Sequence, residues 1–296
     1  MEATPVTEAR RPAGADLDLL STPELVALMN AEDSVVPAAV GAAATEIADV
    51  VDEVVERLRR GGRLVYAGAG TSGGIAALDA SECEATFGTD PGQVVAVVAG
   101  EDAASSRERE AAEDDEPAGR RSIERLAVGP NDAVVVVSAG GRTPFALGAA
   151  RAAAATGAFT ASLVCVPHTE LAELCDREVL TLVGPEVLAG STRLKAGTAQ
   201  KLVLNTISTV SMIRLGKTYA GLMVGVVASN DKLRERVRRI VAEATGAPAD
   251  EIEAALADAD GDTKVAIVSL LGGVDAADAR ARLDAAGGNV REALDV

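Results

Sequence analysis

Aromatic residues are almost missing from this sequence: three Phe, two Tyr and no Trp in 296 residues. Val, Ala, Leu and Ile must therefore fill the core, as they do in parallel sheets covered by Ala-rich helices. Histidine is limited to His168, which excludes a multi-histidine metal site and leaves no Ser-His-Asp order, so His168 reads as a loop residue. Cys83, Cys165 and Cys175 are odd in number and lack metal-type spacing. They exclude a disulfide framework and read as small, buried, reduced thiols. Basic residues are outnumbered, 28 against 45 acidic, giving a net charge of −17. That balance argues against a nucleic-acid or anionic-membrane partner, and it requires any anionic substrate to be held by local backbone N–H groups and a few placed side chains. Uninterrupted apolar runs are short, since even "NDAVVVVSAGG" is broken after a few positions, so no transmembrane segment is expected. The N-terminal "MEATPVTEARRPAGAD" has no apolar centre of the signal-peptide kind. Residues 1–16 are expected to be a disordered lead to a cytoplasmic protein.

What is present has two periods. "STPELVALMNAED" predicts a helix capped by Ser21 or Thr22 with Pro23 in its first turn, and a second helix follows with Ile47, Val50, Val51, Val54, Val55 and Leu58 at helical spacing up to Gly61 and Gly62. The runs "RLVYAGA", "QVVAVVAG", "DAVVVVSAG", "TASLVCVP" and "EVLTLVG" are then too short for helices and too uniformly apolar for half-exposed strands. With helical stretches between them, they predict an α/β fold, a three-layer parallel sheet flanked by helices. Short elements bounded by Gly, Pro or Asp make up the last part. The expected division is a main domain over 17–232 and a small helical domain over 233–296.

Chemistry is expected at the strand ends. "GAGTSGG" joins a strand to a helix, where open α/β sheets bind ligands. Its glycines allow close approach, the helix N-terminus presents free N–H groups, and Thr71 and Ser72 add hydroxyls, so phosphate is the natural occupant beside Gly70 and Gly73. The spacing of Gly68, Gly70 and Gly73 also fits a dinucleotide fingerprint, but the next acidic residues arrive about thirty residues on rather than about twenty. A second strand ends in a comparable turn with Ser138, Gly141, Arg142 and Thr143, and two such turns can converge on one ligand. "GPEVLAGSTRLKAGTAQK" places Glu186, Ser191, Thr192 and Lys195 around the head of a further helix. Two acids stand out, Glu82 at the end of the first turn's helix and Glu113 in "SSREREAAEDDEPAG", although composition does not select Glu113 over Glu108, Glu110 or Asp114.

Taken together, "GGRLVYAGAGTSG", "LDASECEATFG", "AAEDD", "GGRTPF", "VGPEVLAGSTRLKAGTAQKLVLNTIST" and "GKTYAGLMVGVVASNDKL" resemble the N-acetylmuramic acid 6-phosphate etherases, from about Ser21 to the C-terminus. The resemblance implies a sugar-isomerase phosphosugar-binding fold, with a C-terminal region related in shape to ubiquitin-associated modules. It implies cleavage of the D-lactyl ether of N-acetylmuramic acid 6-phosphate by elimination and then hydration. Glu82 would be the acid and Glu113 the base, while Gly70, Thr71, Ser72, Gly73, Ser138, Gly141, Arg142, Thr143, Glu186, Ser191, Thr192 and Lys195 would bind substrate. No metal or redox cofactor is implied, and a homodimer is. The sequence departs from the family pattern at Gly74, Glu84, Ala85, Gly140 and Gly225, where the family usually has Arg, two prolines, Ser and Asp. The competing readings are a non-catalytic sugar-phosphate sensor resembling the glucokinase regulatory protein, and a lyase or isomerase acting on a related phosphosugar.

Overall fold

A computed structural model describes residues 6–10, 16–226 and 231–295. Residues 1–5 and 11–15 of the expected lead lie outside the described residues. Within that lead, Val6–Glu8 form a single 3-10 turn, and the Thr7 carbonyl accepts the Gly190 N–H at 3.1 Å.

Helix α1 (Thr22–Asp33) starts at Ser21, whose backbone N–H donates to the Glu24 carboxylate at 2.8 Å. The second predicted helix is two, α2 (Val36–Ala42) and α3 (Ala44–Arg59), and all six of the apolar positions named for it are buried on α3. The stretch Thr22–Ala42 has the length and mean hydropathy, 1.2, of a helix able to cross a membrane. It is divided between α1 and α2 at Ser34 and Val35, and Glu24, Glu32 and Asp33 interrupt its apolar residues.

Five strands then alternate with helices: β1 (Leu64–Gly68), α4 (Gly70–Phe87), β2 (Val94–Val98), α5 (Ser106–Glu113), α6 (Glu116–Arg125), β3 (Ala133–Val137), α7 (Pro144–Ala155), β4 (Phe159–Val164), α8 (Glu170–Glu173) and β5 (Arg177–Leu180). They form one parallel sheet in the order β2-β1-β3-β4-β5. Strands β1, β3 and β4 are buried throughout, which is why their sequences do not alternate. The order reverses between β1 and β3, so a crevice opens outside the carboxyl ends of those two strands. A bidentate pair fixes the opposite end: Arg63 Nη2 donates to Asp132 Oδ2 at 2.8 Å, and the Arg63 backbone N–H donates to Oδ1 at 2.8 Å. These hydrogen bonds hold the Asp132 carboxyl below its usual range although burial pushes it up.

The chain continues through α9 (Lys195–Arg214), a two-residue hairpin pair β6 (Thr218–Tyr219) and β7 (Leu222–Met223), and then α10 (Asp231–Thr245), α11 (Ala249–Asp258), α12 (Thr263–Gly272), α13 (Ala276–Ala285) and α14 (Val290–Leu294). Two compact units result: residues 1–80 with 92–208, and residues 81–91 with 209–296. Helices α4 and α9 each pass from one unit into the other. The second unit has its own core, in which Val237, Ile240, Val241, Ile252, Val265, Ile267, Val268 and Val290 are buried.

Candidate active site

The turn after β1 is built by contacts that only glycine permits. Gly70 opens α4 at φ +53, in the left-handed region, and a Cβ on Gly73 would lie 2.8 Å from both Gly68 O and Val98 Cγ1. The helix therefore starts hard against the ends of β1 and β2, with Thr71 exposed and Ser72 half-buried at its head. Glu113 closes the turn from the end of α5: a Cβ on Gly70 would stand 2.8 Å from Glu113 Oε1. Burial, and then the neighbouring Asp114 and Glu110 charges, push the Glu113 carboxyl above its ordinary value. A carboxylate so placed is a stronger base than a free one.

The local structure separates Glu113 from the acids around it. Glu108 Oε2 accepts the Ala104 N–H at 2.9 Å just ahead of α5, and Asp115 Oδ1 caps α6 by accepting the Ala118 N–H at 2.8 Å, so both carboxylates are engaged at helix starts. Glu110 and Asp114 are exposed.

The head of α9 lies on the other side of the first turn. A Cβ on Gly197 would be 3.5 Å from Thr71 Cγ2, and Ser72 Oγ donates to Gln200 Oε1 at 3.0 Å. Gln200 is buried, and its Nε2 has no partner among the described residues. The sequence places Gln200 with Arg193, Thr198 and Lys201 among the polar residues at the head of this helix, without assigning it to the substrate. Its signal was its place one helical turn beyond Ala196, on the same face of α9. Glu186 and Lys195 are both buried, and both are engaged within the protein. Glu186 accepts the N–H groups of Lys195 at 3.1 Å and Ala196 at 2.9 Å, thereby capping α9, while Lys195 Nζ donates to Glu32 of α1 at 2.6 Å. Ser191 and Thr192 lie half-buried in the loop that leads into that cap.

The second turn leaves β3, whose Val137 is paired with Gly68 of β1, so the two turns emerge from adjacent strand ends. Ser138 is buried, with Oγ 2.9 Å from Thr143 Oγ1 and accepting the Gly141 N–H at 3.1 Å. Gly141 has φ +63 and passes so close to Thr169 that a Cβ would fall 2.4 Å from its Cβ. Arg142 is exposed beside it. Glu82 stands exposed on α4, beyond the point at which that helix enters the second unit. Among the departures from the family pattern, Gly74 and Gly140 have open space around them, whereas a Cβ at Gly225 would lie 2.2 Å from Phe87 O. Cys83 and Cys165 are buried as expected, and burial pushes the thiols of Cys165 and Cys175 up to about 11 and about 12. Among the described residues no cluster of three or more His, Cys, Asp or Glu is placed to hold a metal ion.

The chain is 58% identical over 289 residues to an N-acetylmuramic acid 6-phosphate etherase of Rubrobacter xylanophilus, covering 98% of this chain and 95% of the relative. It is 53% identical over 291 residues to an enzyme of the same name from Streptomyces avermitilis, covering 98% and 94%. It belongs to the N-acetylmuramic acid 6-phosphate etherase family. The family described as glucokinase regulatory protein N-terminal SIS domain matches residues 46–154 of this etherase-family chain. Among solved structures, a phosphoheptose isomerase from Neisseria gonorrhoeae aligns with a TM-score of 0.51 at 18% identity, covering 64% of this chain and 98% of the isomerase. An Escherichia coli CFT073 protein in complex with A5P aligns with a TM-score of 0.50 at 20% identity, covering 68% and 96%. At those identities the likeness establishes the sugar-isomerase-like fold that the etherase-family sequence implied.

Proposed function

We propose that the protein is a carbon–oxygen lyase that cleaves the D-lactyl ether of cytoplasmic N-acetylmuramic acid 6-phosphate, giving N-acetylglucosamine 6-phosphate and D-lactate. Identity of 58% to an etherase along nearly the whole chain carries this reading. The 6-phosphate is assigned to the paired turns, with Thr71, Ser72, Ser138 and Thr143 as hydroxyl donors and the first N–H groups of α4 as backbone donors. Arg142 is the side-chain cation offered to the same anion. Glu186 and Lys195 serve by position: they hold the head of α9, and with it Gln200, against Ser72.

In the ring-opened sugar, C2 lies next to the C1 aldehyde, so its proton is the acidic one. Glu113 takes that proton, and the electron pair moves into the C2–C3 bond as the C3–O bond breaks. A second acid, Glu82, gives a proton to the departing lactate oxygen. Water then adds at C3 and C2 is reprotonated, which restores the saturated sugar. Burial of Glu113 raises its basicity toward C2.

Glu82 cannot serve the substrate held by its own turn. Twelve residues of α4 separate it from Gly70, about 18 Å at about 1.5 Å per residue. From the 6-phosphate to C2 is only a handful of covalent bonds. The second subunit of a homodimer supplies Glu82 to the site in this reading, and each chain gives a base to one site and an acid to the other.

The test is release of D-lactate from N-acetylmuramic acid 6-phosphate in deuterated buffer by the wild type, Glu113→Gln and Glu82→Gln. Release by the wild type with deuterium at C2 of its product, loss of release in both variants, and deuterium exchange at C2 of the substrate by Glu82→Gln but not by Glu113→Gln are expected. Tight phosphosugar binding without lactate release by the wild type would instead favour the sensor reading, to which the regulatory-protein domain match belongs.

A further inference from the structure

Three cations converge where no assigned function lies. Within the second unit, a cavity of about 570 Å³ is lined by Lys217, Arg234, Lys264 and Thr263 together with Gly88, Gly225, Asp260 and Asp262. In a chain of net charge −17, that concentration of positive charge is against the overall balance.

The carboxylates of this cavity are committed elsewhere. Asp260 Oδ2 accepts from Arg280 Nη2 at 3.0 Å, and Asp262 Oδ1 caps α12 by accepting the N–H groups of Lys264 at 2.9 Å and Val265 at 3.2 Å. Arg234 is paired with Asp231 at the exposed rim. The two lysines meet backbone instead of acids. Lys217 Nζ donates to Gly88 O at 3.1 Å and Lys264 Nζ donates to Gly288 O at 2.7 Å, one proton of three in each case among the described residues. Burial first, and the adjacent Lys217 charge second, pull the Lys264 ammonium down to about 8 against the smaller opposing effect of Asp262. Thr263 is buried on the same wall, and its hydroxyl has no partner among the described residues. Two ammonium groups with unused donors and an unpaired hydroxyl therefore share one cavity, and their common complement is a compact oxyanion.

We propose that this cavity is an anion site for a phosphate-bearing small molecule, held by Lys217, Lys264 and Thr263. The volume admits either inorganic phosphate or a phosphosugar. The site lies wholly within the second unit and shares no residue with the paired turns, so it stands apart from the etherase reading.

Trace acetylation of the native protein near pH 8, close to the lowered Lys264 value, reads the site directly. The rates at Lys217, Lys264 and the exposed Lys232 are followed by peptide mass spectrometry in chloride, in inorganic phosphate and in N-acetylglucosamine 6-phosphate at matched ionic strength. Phosphate at twice its dissociation constant is expected to slow Lys217 and Lys264 about threefold and leave Lys232 unchanged. Protection by the sugar phosphate at lower concentration than by inorganic phosphate assigns the sugar a share of the contact, and equal protection assigns the site to phosphate alone. Equal slowing in chloride, no slowing in either phosphate, or loss of protection in Thr71→Val, which disturbs only the paired turns, would each overturn the proposal.

Discussion

Glu113 is where one residue's surroundings bear most directly on function. Its raised carboxyl pKa means that the folded chain binds the proton more tightly than the unfolded chain. Stability therefore falls as pH rises from the ordinary glutamate value to the folded one, and above both values ionised Glu113 destabilises the fold. Glu113→Gln is expected to melt at a higher temperature than the wild type at neutral pH, and to lose lactate release by about 10²–10⁴-fold. The acidic limb of kcat/KM in the wild type should lie above the ordinary glutamate pKa. A limb at or below that value, in rate measurements from acid to neutral pH, would remove Glu113 as the base. The sequence pointed to Glu113 only through family resemblance, because six acids crowd that segment. Its selection rests on capping: Glu108 and Asp115 are consumed at helix starts, and Glu113 alone abuts Gly70.

At the scale of elements, α4 is tied to β1 and α9 by one buried carboxylate. Asp79 accepts from Tyr66 Oη at 2.8 Å, Asn205 Nδ2 at 2.5 Å and Ser208 Oγ at 3.0 Å. Asp79→Ala removes the acceptor these three donors share in a buried region and is expected to cost about 1–3 kcal/mol, measured by urea denaturation. It should also raise KM, because the head of α4 carries Thr71 and Ser72. An unchanged midpoint would show that water replaces the carboxylate at no cost. The strands and the amphipathic α3 were legible because burial leaves a plain apolar pattern. The tie through Asp79 was not, since one Asp in an Ala-rich helix looks like any solvated charge until its distant partners are placed. Glu186 and Lys195 show the same limit. Their residue types suggest an anion site, and only the fold reveals that Glu186 fills the α9 N-terminus itself.

For the whole molecule, the proposed reading makes a homodimer part of the chemistry, because it takes Glu82 from one subunit and Glu113 from the other. Glu82→Gln and Glu113→Gln chains, each inactive alone, can be unfolded together and refolded. Random pairing makes half of the dimers mixed, each with one intact site of two, so about a quarter of the wild-type rate should return. No recovery, with mixed dimers verified by mass, would place both glutamates of a site on one chain. The division into units carries a different consequence. The second unit gathers residues 81–91 as well as everything from Thr209 onward, so the chain leaves the first unit, returns and leaves again. Recombination that exchanges the C-terminal unit as a cassette would leave its first strip of sequence behind in the old host. Descendants of this architecture should therefore diverge by drift within both units together, and chimaeras made at a single crossover should fail unless the parental 81–91 segment travels with the tail.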